Sequence, residues 1–150
     1  MLYEILNSRL SRREKSAVDE WIASGKPFHF MRDHPSHSNY TMSGGMWGGT
    51  HDAISNMKFL LLNKNRQHTY LEDMKFLNSM MWIKVKSSEF QHDSFSCGRY
   101  GAVNPLPTAR IGFEHVGSVY IDKKMFQADV DILKNAMKYP PKCVAEQKSH

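Results

Sequence analysis

A chain of 150 residues is long enough for one domain with a real core. Its 41% hydrophobic and 23% charged residues read as a globular protein, and its longest obvious apolar run, Phe59-Leu60-Leu61-Leu62, falls far short of the ~18 residues of a membrane span. The net charge of +5 favours an anionic partner, yet the basic residues are scattered and do not interleave with aromatics along one face. That pattern reads as a solvated basic surface and not as a nucleic-acid interface.

In chain order, Ser11-Arg12-Arg13-Glu14 is a capping box, followed by Ala17, Val18, Trp21 and Ile22 at helical spacing and by Gly25 as a stop. The expectation is a helix over 12–23 with Trp21 against a sheet and Arg12 and Arg13 facing solvent. Phe28-His29-Phe30-Met31 reads as a short buried strand that delivers Arg32 and Asp33 to its end. A glycine-rich loop follows, then a helix near 51–60 with Ala53, Ile54 and Met57 on one face. Thr69-Tyr70-Leu71-Glu72 is a second capping box, opening a helix striped by Leu71, Met74, Leu77 and Met81. Trp82-Ile83-Lys84-Val85-Lys86 alternates like a strand, and Gln91 to Phe95 is another extended piece. Asn104-Pro105-Leu106-Pro107-Thr108 must be loop. Val116 to Ile121 reads as a late strand and Phe126 to Met137 as a closing helix, ended by Pro140-Pro141 and a frayed tail over 140–150. Strands and helices intermix, so the fold class is α/β, a mixed sheet with flanking helices over residues 28–31, 82–86 and 116–121.

The densest candidate region is Met31-Arg32-Asp33-His34-Pro35-Ser36-His37 with Ser43-Gly44-Gly45-Met46-Trp47-Gly48-Gly49. Gly44 and Gly45 let a backbone approach a ligand closely, and Trp47 offers a flat apolar ring with one N–H donor. Trp47 is either a platform for a sugar ring or a plug over the core. The spacing of His34 and His37 would suit a metal on a helix, but Pro35 argues against one, which leaves loop hydrogen bonds as the plainer reading. Cys97 and Cys143 lack any CxxC spacing, so they indicate neither a zinc site nor a disulfide framework, and Cys97 has no charged neighbour in sequence to activate it as a nucleophile.

These segments carry a resemblance. Ser8-Arg9-Leu10-Ser11-Arg12-Arg13-Glu14-Lys15 with Ala17 to Trp21, then Phe28-His29, Met31-Arg32-Asp33-His34-Pro35, Gly44-Gly45-Met46-Trp47-Gly48, His92-Asp93-Ser94-Phe95, Pro107-Thr108-Ala109-Arg110 and Phe113 to Tyr120, resembles a family of glycosyltransferase-like proteins. The likeness spans about residues 8 to 120 in the family's order. It implies part of a GT-A nucleotide-sugar transferase fold, with a nucleotide-sugar or carbohydrate ligand and a divalent metal, Mn or Mg, that neutralises the diphosphate leaving group. In that reading Arg32 and Asp33 orient donor phosphate and a sugar hydroxyl, joined by His34, Gly44, Gly45, Trp47 and Asp93. Asp73 matches an acidic position and is the candidate general base, and His92 matches the family's late metal-binding histidine. The plainer alternative for Asp73, with Glu72, is simple complementarity to the helix dipole.

The chain departs from the family where an aspartate-any-aspartate motif should precede Ser8, since Ile5-Leu6-Asn7 stands there. Isoleucine cannot ligate, and an amide brings no negative charge. The single domain over 1–150 therefore reads as the C-terminal, acceptor-side portion of a longer glycosyltransferase-like domain, with a missing N-terminal half as a partner. The alternative is a non-catalytic carbohydrate- or nucleotide-binding module. The resemblance makes one geometric demand: Arg32, Asp33, His34, Gly44, Gly45, Trp47, Asp73, His92 and Asp93 should meet around one cleft.

Overall fold

The computed structural model describes residues 9–55, 57–62 and 71–138. The first element is helix α1, Arg12–Ser24, and both of its ends form for the reasons its sequence gives. Ser11 Oγ accepts the Glu14 N–H at 3.0 Å, and Gly25 adopts φ 67° so that its N–H reaches the Ile22 carbonyl. Ala17 is fully buried and the Trp21 ring stacks on His29, with centroids 5.2 Å apart and planes 13° from parallel.

The partner of α1 is a three-stranded mixed sheet. Strand β1, Phe28–Arg32, lies between β2, Trp47–Gly49, which runs antiparallel, and β3, Glu89–Asp93, which runs parallel. Its register pairs Phe30 with both Trp47 and Gln91, and Arg32 with Asp93. Because side chains alternate across a strand, this register sorts them onto two faces. Phe28, Phe30 and Arg32 share the first face with Trp47, Gln91 and Asp93. His29 and Met31 share the second with Gly48, Phe90 and His92. β1 is buried on both sides, which explains its lack of a polar face.

Each face has its own core. On the first, Phe28, Phe30, Met42, Met57, Phe76, Leu77, Met81 and Val85 cluster, with Trp47 and Trp82 packed against them. On the second, Ala17 of α1 packs with Met31, Leu106 and Val116. The first-face cover includes short helices α2, His51–Ser55, and α3, Lys58–Leu62, where a single helix over 51–60 was expected. It continues through α4, Glu72–Phe76, a π-helical turn at Leu77–Met81, and α5, Trp82–Val85.

Several expectations are corrected here. Residues 82–85 are helix and not strand: Leu77, Met81 and Val85 recur every four residues and are all buried, so the helical stripe runs on through a segment whose five-residue alternation mimics a strand. Thr69 and Tyr70 of the second capping box lie outside the described residues, and Leu71 occupies the N-cap with a left-handed φ of 61° and no side-chain cap. Pro35 does not forbid a helix. It opens a 3₁₀-helix, Pro35–Asn39, at the N-terminal position where its missing N–H costs nothing. Val116–Ile121 is not a strand of the main sheet. Only β4, Tyr120–Ile121, is extended, paired with β5, Lys124–Met125, through a two-residue turn in which Asp122 and Lys123 both have positive φ. Helix α6, Gln127–Lys138, closes the described chain and buries Leu133. The expected tail over 140–150 lies outside the described residues, among which no helix is long and apolar enough to cross a membrane.

Candidate functional site

The carboxyl ends of β1 and β3 gather the largest concentration of buried polar groups. Arg32 is 1% exposed and Asp33 wholly buried, yet the two neighbours do not pair with each other. On the first face the Arg32 guanidinium is surrounded by acceptors. Nε donates to Asp93 Oδ2 at 2.5 Å, Nη1 to the Thr41 carbonyl, and Nη2 to Gln91 Oε1. The Tyr100 ring lies over it, 4.9 Å from centroid to Cζ. Asp93 uses its other oxygen to accept the Phe95 and Ser96 N–H groups, at 2.8 and 2.7 Å. Each guanidinium nitrogen thus donates a bond and both Asp93 oxygens accept bonds.

Asp33 turns the other way. Oδ1 accepts from Arg13 Nη2 (3.0 Å), Ser94 Oγ (2.6 Å) and Arg110 Nη2 (2.5 Å), while Oδ2 accepts from Arg13 Nε (2.8 Å) and the Val116 N–H (3.1 Å). Burial works to raise the Asp33 pKa, but the Arg13 hydrogen bonds and the Arg110 and Arg13 charges outweigh it and hold the group below the ordinary carboxylate value. Arg13, expected in solvent, is therefore a buried-site residue whose side chain is only 12% exposed, and only Arg12 of the pair points outward. Helix α1 positions Arg13 in its first turn, two residues after the cap, so the cap fixes the guanidinium as well as the helix.

The same face carries a linear chain of imidazoles. Glu20 Oε2 lies 2.8 Å from His92 Nε2, and His92 Nδ1 lies 2.8 Å from His29 Nε2. The carboxylate at one end sets the tautomers: His92 donates from Nε2 and accepts at Nδ1, so His29 donates from Nε2. Burial, then the neighbouring His92, pushes the His29 pKa down to about 3. Burial also lowers His92, against the opposing pull of Glu20. Both ring nitrogens of His92 are thus committed, and the ring is wholly buried.

A second group of imidazoles lies past the end of β1. His34 stacks on His115 with centroids 4.5 Å apart, and His37 lies 5.6 Å from His34 and 6.0 Å from His115. His34 Nε2 reaches the Asp129 carbonyl of α6 at 2.9 Å, and its Nδ1 accepts the Ser36 N–H at 3.2 Å, so His34 caps the 3₁₀-helix while tethering α6.

Gly44, Gly45 and Asp73 are the exposed members of the expected set. The Gly44–Asp73 approach is close: a Cβ placed on Gly44 would come 3.0 Å from Asp73 Oδ2. The contact is held from below by Asn78 in the π-helical turn. Its side chain accepts from Thr41 Oγ1 and the Met42 N–H and donates to the Met42 and Met74 carbonyls. Trp47 is half-buried against the first-face core, closer to the plug than to an open platform.

The expected residues therefore fall into three places and not one cleft. Arg32 and Asp93, with Trp47 beside the core, belong to the first face. Asp33, His34 and His92 belong to the second, while Gly44, Gly45 and Asp73 form an exposed edge. Sequence reading missed Arg13, Glu20, His29, Gln91, Arg110 and His115. A signal existed for five of them, because Arg13, Glu20, His29, Arg110 and His115 all sit inside the segments that carry the resemblance. Cys97 is disulfide-bonded, which removes its thiol from nucleophilic chemistry and corrects the expectation drawn from cysteine spacing.

A divalent metal does not fit the groups named for it. His92 offers no uncommitted nitrogen, Asp33 and Asp93 are saturated by guanidinium and N–H donors, and among the described residues no three His, Cys, Asp or Glu side chains are placed to share an ion. Ile5 and Asn7 lie outside the described residues. No protein-family model, curated protein or solved structure matches the chain.

Proposed function

We propose that the chain is a glycosyltransferase-like domain, the acceptor-side portion of a GT-A nucleotide-sugar transferase, with its carbohydrate contact at the Gly44–Gly45 edge facing Asp73. The observation that carries this reading is the exposed Asp73 carboxylate set against a glycine backbone, 3.0 Å from where a Gly44 side chain would begin. The exposed carboxylate accepts hydrogen bonds from sugar hydroxyls, and the absent Gly44 side chain is what lets Asp73 and Met74 lie against the main chain. In transfer, Asp73 takes the proton of the acceptor hydroxyl as that oxygen bonds to the anomeric carbon of the donor sugar and the bond from that carbon to the nucleoside diphosphate breaks, the diphosphate leaving with the electron pair. The buried Arg32 and Asp33 networks fix the strand ends beneath this edge and touch no ligand themselves.

A second reading, a non-catalytic carbohydrate- or nucleotide-binding module, is favoured by the commitment of His92, Asp33 and Asp93 to internal partners. Nuclear magnetic resonance titration with a panel of nucleotide-sugars and oligosaccharides tests the location. The expected result is shift changes at the Gly44 and Gly45 amides and at Asp73. Changes confined to other surfaces overturn the proposal. In a chain that releases nucleoside diphosphate from a donor, D73N should abolish release while shifting folding stability by no more than about 1 kcal/mol. Saccharide binding at this edge without release by the wild-type chain supports the module instead.

A further inference from the structure

We propose that the cluster of His34, His37 and His115 is an acid-triggered latch that holds α6 and the 113–118 turn against the sheet and lets them go when His37 and His115 are protonated. The inference is independent of any carbohydrate reading.

The argument starts from geometry. Three imidazoles lie within 4.5–6.0 Å of one another, and none is hydrogen-bonded to a carboxylate. Each is arranged as a neutral ring. His34 Nδ1 accepts the Ser36 N–H and its Nε2 donates to the Asp129 carbonyl. His115 donates from Nδ1 to the Phe113 carbonyl, leaving Nε2 as a lone pair. His37 Nδ1 is buried without a hydrogen-bond partner among the described residues. A proton placed there is a buried charge with nothing to solvate it.

Two carboxylates facing the cluster, Asp33 and Asp129, favour its charged form, but burial outweighs them. From the end of β1 comes Asp33, from α1 Arg13, from the 108–118 loop Arg110, and from α6 Asp129. Asp33 is already paired with two guanidiniums, Arg13 and Arg110, which commits its charge before any imidazole is protonated. Asp129 bears on His115 through its charge, while its hydrogen-bond link to the cluster runs through the backbone carbonyl. Burial, then His34 and His115, pushes the His37 pKa down to about 4. Burial, then His34, lowers that of His115. Each added proton meets like charges at ring-stacking distance.

What gives way is set by the connections. Helix α6 is tethered by the His34–Asp129 bond and by buried Leu133, and the 113–118 turn by His115 and the Val116–Asp33 bond. Val116 belongs to the second-face core, whereas Leu77, Met81 and Val85 belong to the first-face core. Hydrogen–deuterium exchange of the full chain from pH 7 to 4.5, corrected for intrinsic rates, tests this. The expected result is a loss of protection of about tenfold or more across 113–118 and α6, with Leu77–Val85 unchanged. An H37Q/H115Q double variant should flatten that response. Equal loss in both regions means global acid unfolding and overturns the latch, as does an unchanged response in the variant. Should the variant not fold, titration of the wild-type imidazole Cε1–H signals decides. His37 and His115 protonating below the ordinary imidazole value of 6.5, together with α6 release, supports the latch, and α6 remaining in place once both are protonated overturns it.

Discussion

The two faces of the sheet solve the burial of charge in opposite ways. The first face buries one cation, Arg32, and gives each of its three nitrogens an acceptor. The second buries one anion, Asp33, between two cations and lines the remaining space with imidazoles. Arg32 and Asp33 are adjacent in sequence and belong to separate networks, because consecutive side chains leave a strand end on opposite sides. A charged dipeptide at a strand end is therefore a poor guide to an ion pair. What the comparison teaches is where acid sensitivity resides: the imidazoles titrate in a range where a guanidinium does not.

The largest way to break the comparison is R32A. Removing the guanidinium strands the Asp93 carboxylate, Gln91 and the Thr41 carbonyl in a buried layer, and losing one member of a buried pair costs about 3–5 kcal/mol. Urea unfolding should show that loss. A change below about 1 kcal/mol would mean that the apolar core alone holds the first face.

Next in size is the response to pH. His29 and His37 have folded-state pKa values lowered from 6.5 to about 3 and about 4, so the folded state binds protons less readily than the unfolded one. Their contribution is complete above pH 6.5 and is lost as pH falls through the window between 6.5 and the folded values. For fully buried His29 the loss at pH 5 is about 2 kcal/mol, from about 1.4 kcal/mol per pH unit. Asp33 adds its own loss only below its ordinary carboxylate value of 3.8. Urea midpoints measured from pH 8 to 4.5 should fall with acid, and H29Q should reduce the slope by about one proton. A flat profile in the wild-type chain removes the acid asymmetry between the faces.

The smallest effect sharpens the comparison by its location. S11A removes the α1 cap and should cost about 1 kcal/mol. Because α1 carries Arg13, Glu20 and Trp21, resonances of His29 and His92 should shift while those of Trp82 and Val85 stay in place. Equal disturbance of both faces would show that the layers are coupled through the sheet.

The sequence by itself determined α1, β1 and α6, because each is local in cause: a cap, a dense apolar run between turn signals, a periodic stripe before a proline pair. It also marked His34, His92, Asp93 and the glycine loop as more than surface. It could not decide residues 82–85, where a five-residue alternation is compatible with a strand and only the packing of Leu77, Met81 and Val85 on one side selects a helix. Nor could it reveal that the two-residue Asp122–Lys123 turn would pair 120–121 with 124–125 and not with the sheet. The candidate site was legible as a set of residues and illegible as an arrangement. Spacing along the chain says nothing of which partner lies 60 to 100 residues away, and the bonds of Asp33 to Arg110 and Val116, and of His92 to Glu20, exist only once α1 and the 108–118 loop have docked on one face. The alternation of β1 then decides the rest, dividing one charged motif between two layers that the sequence presents as a single cluster.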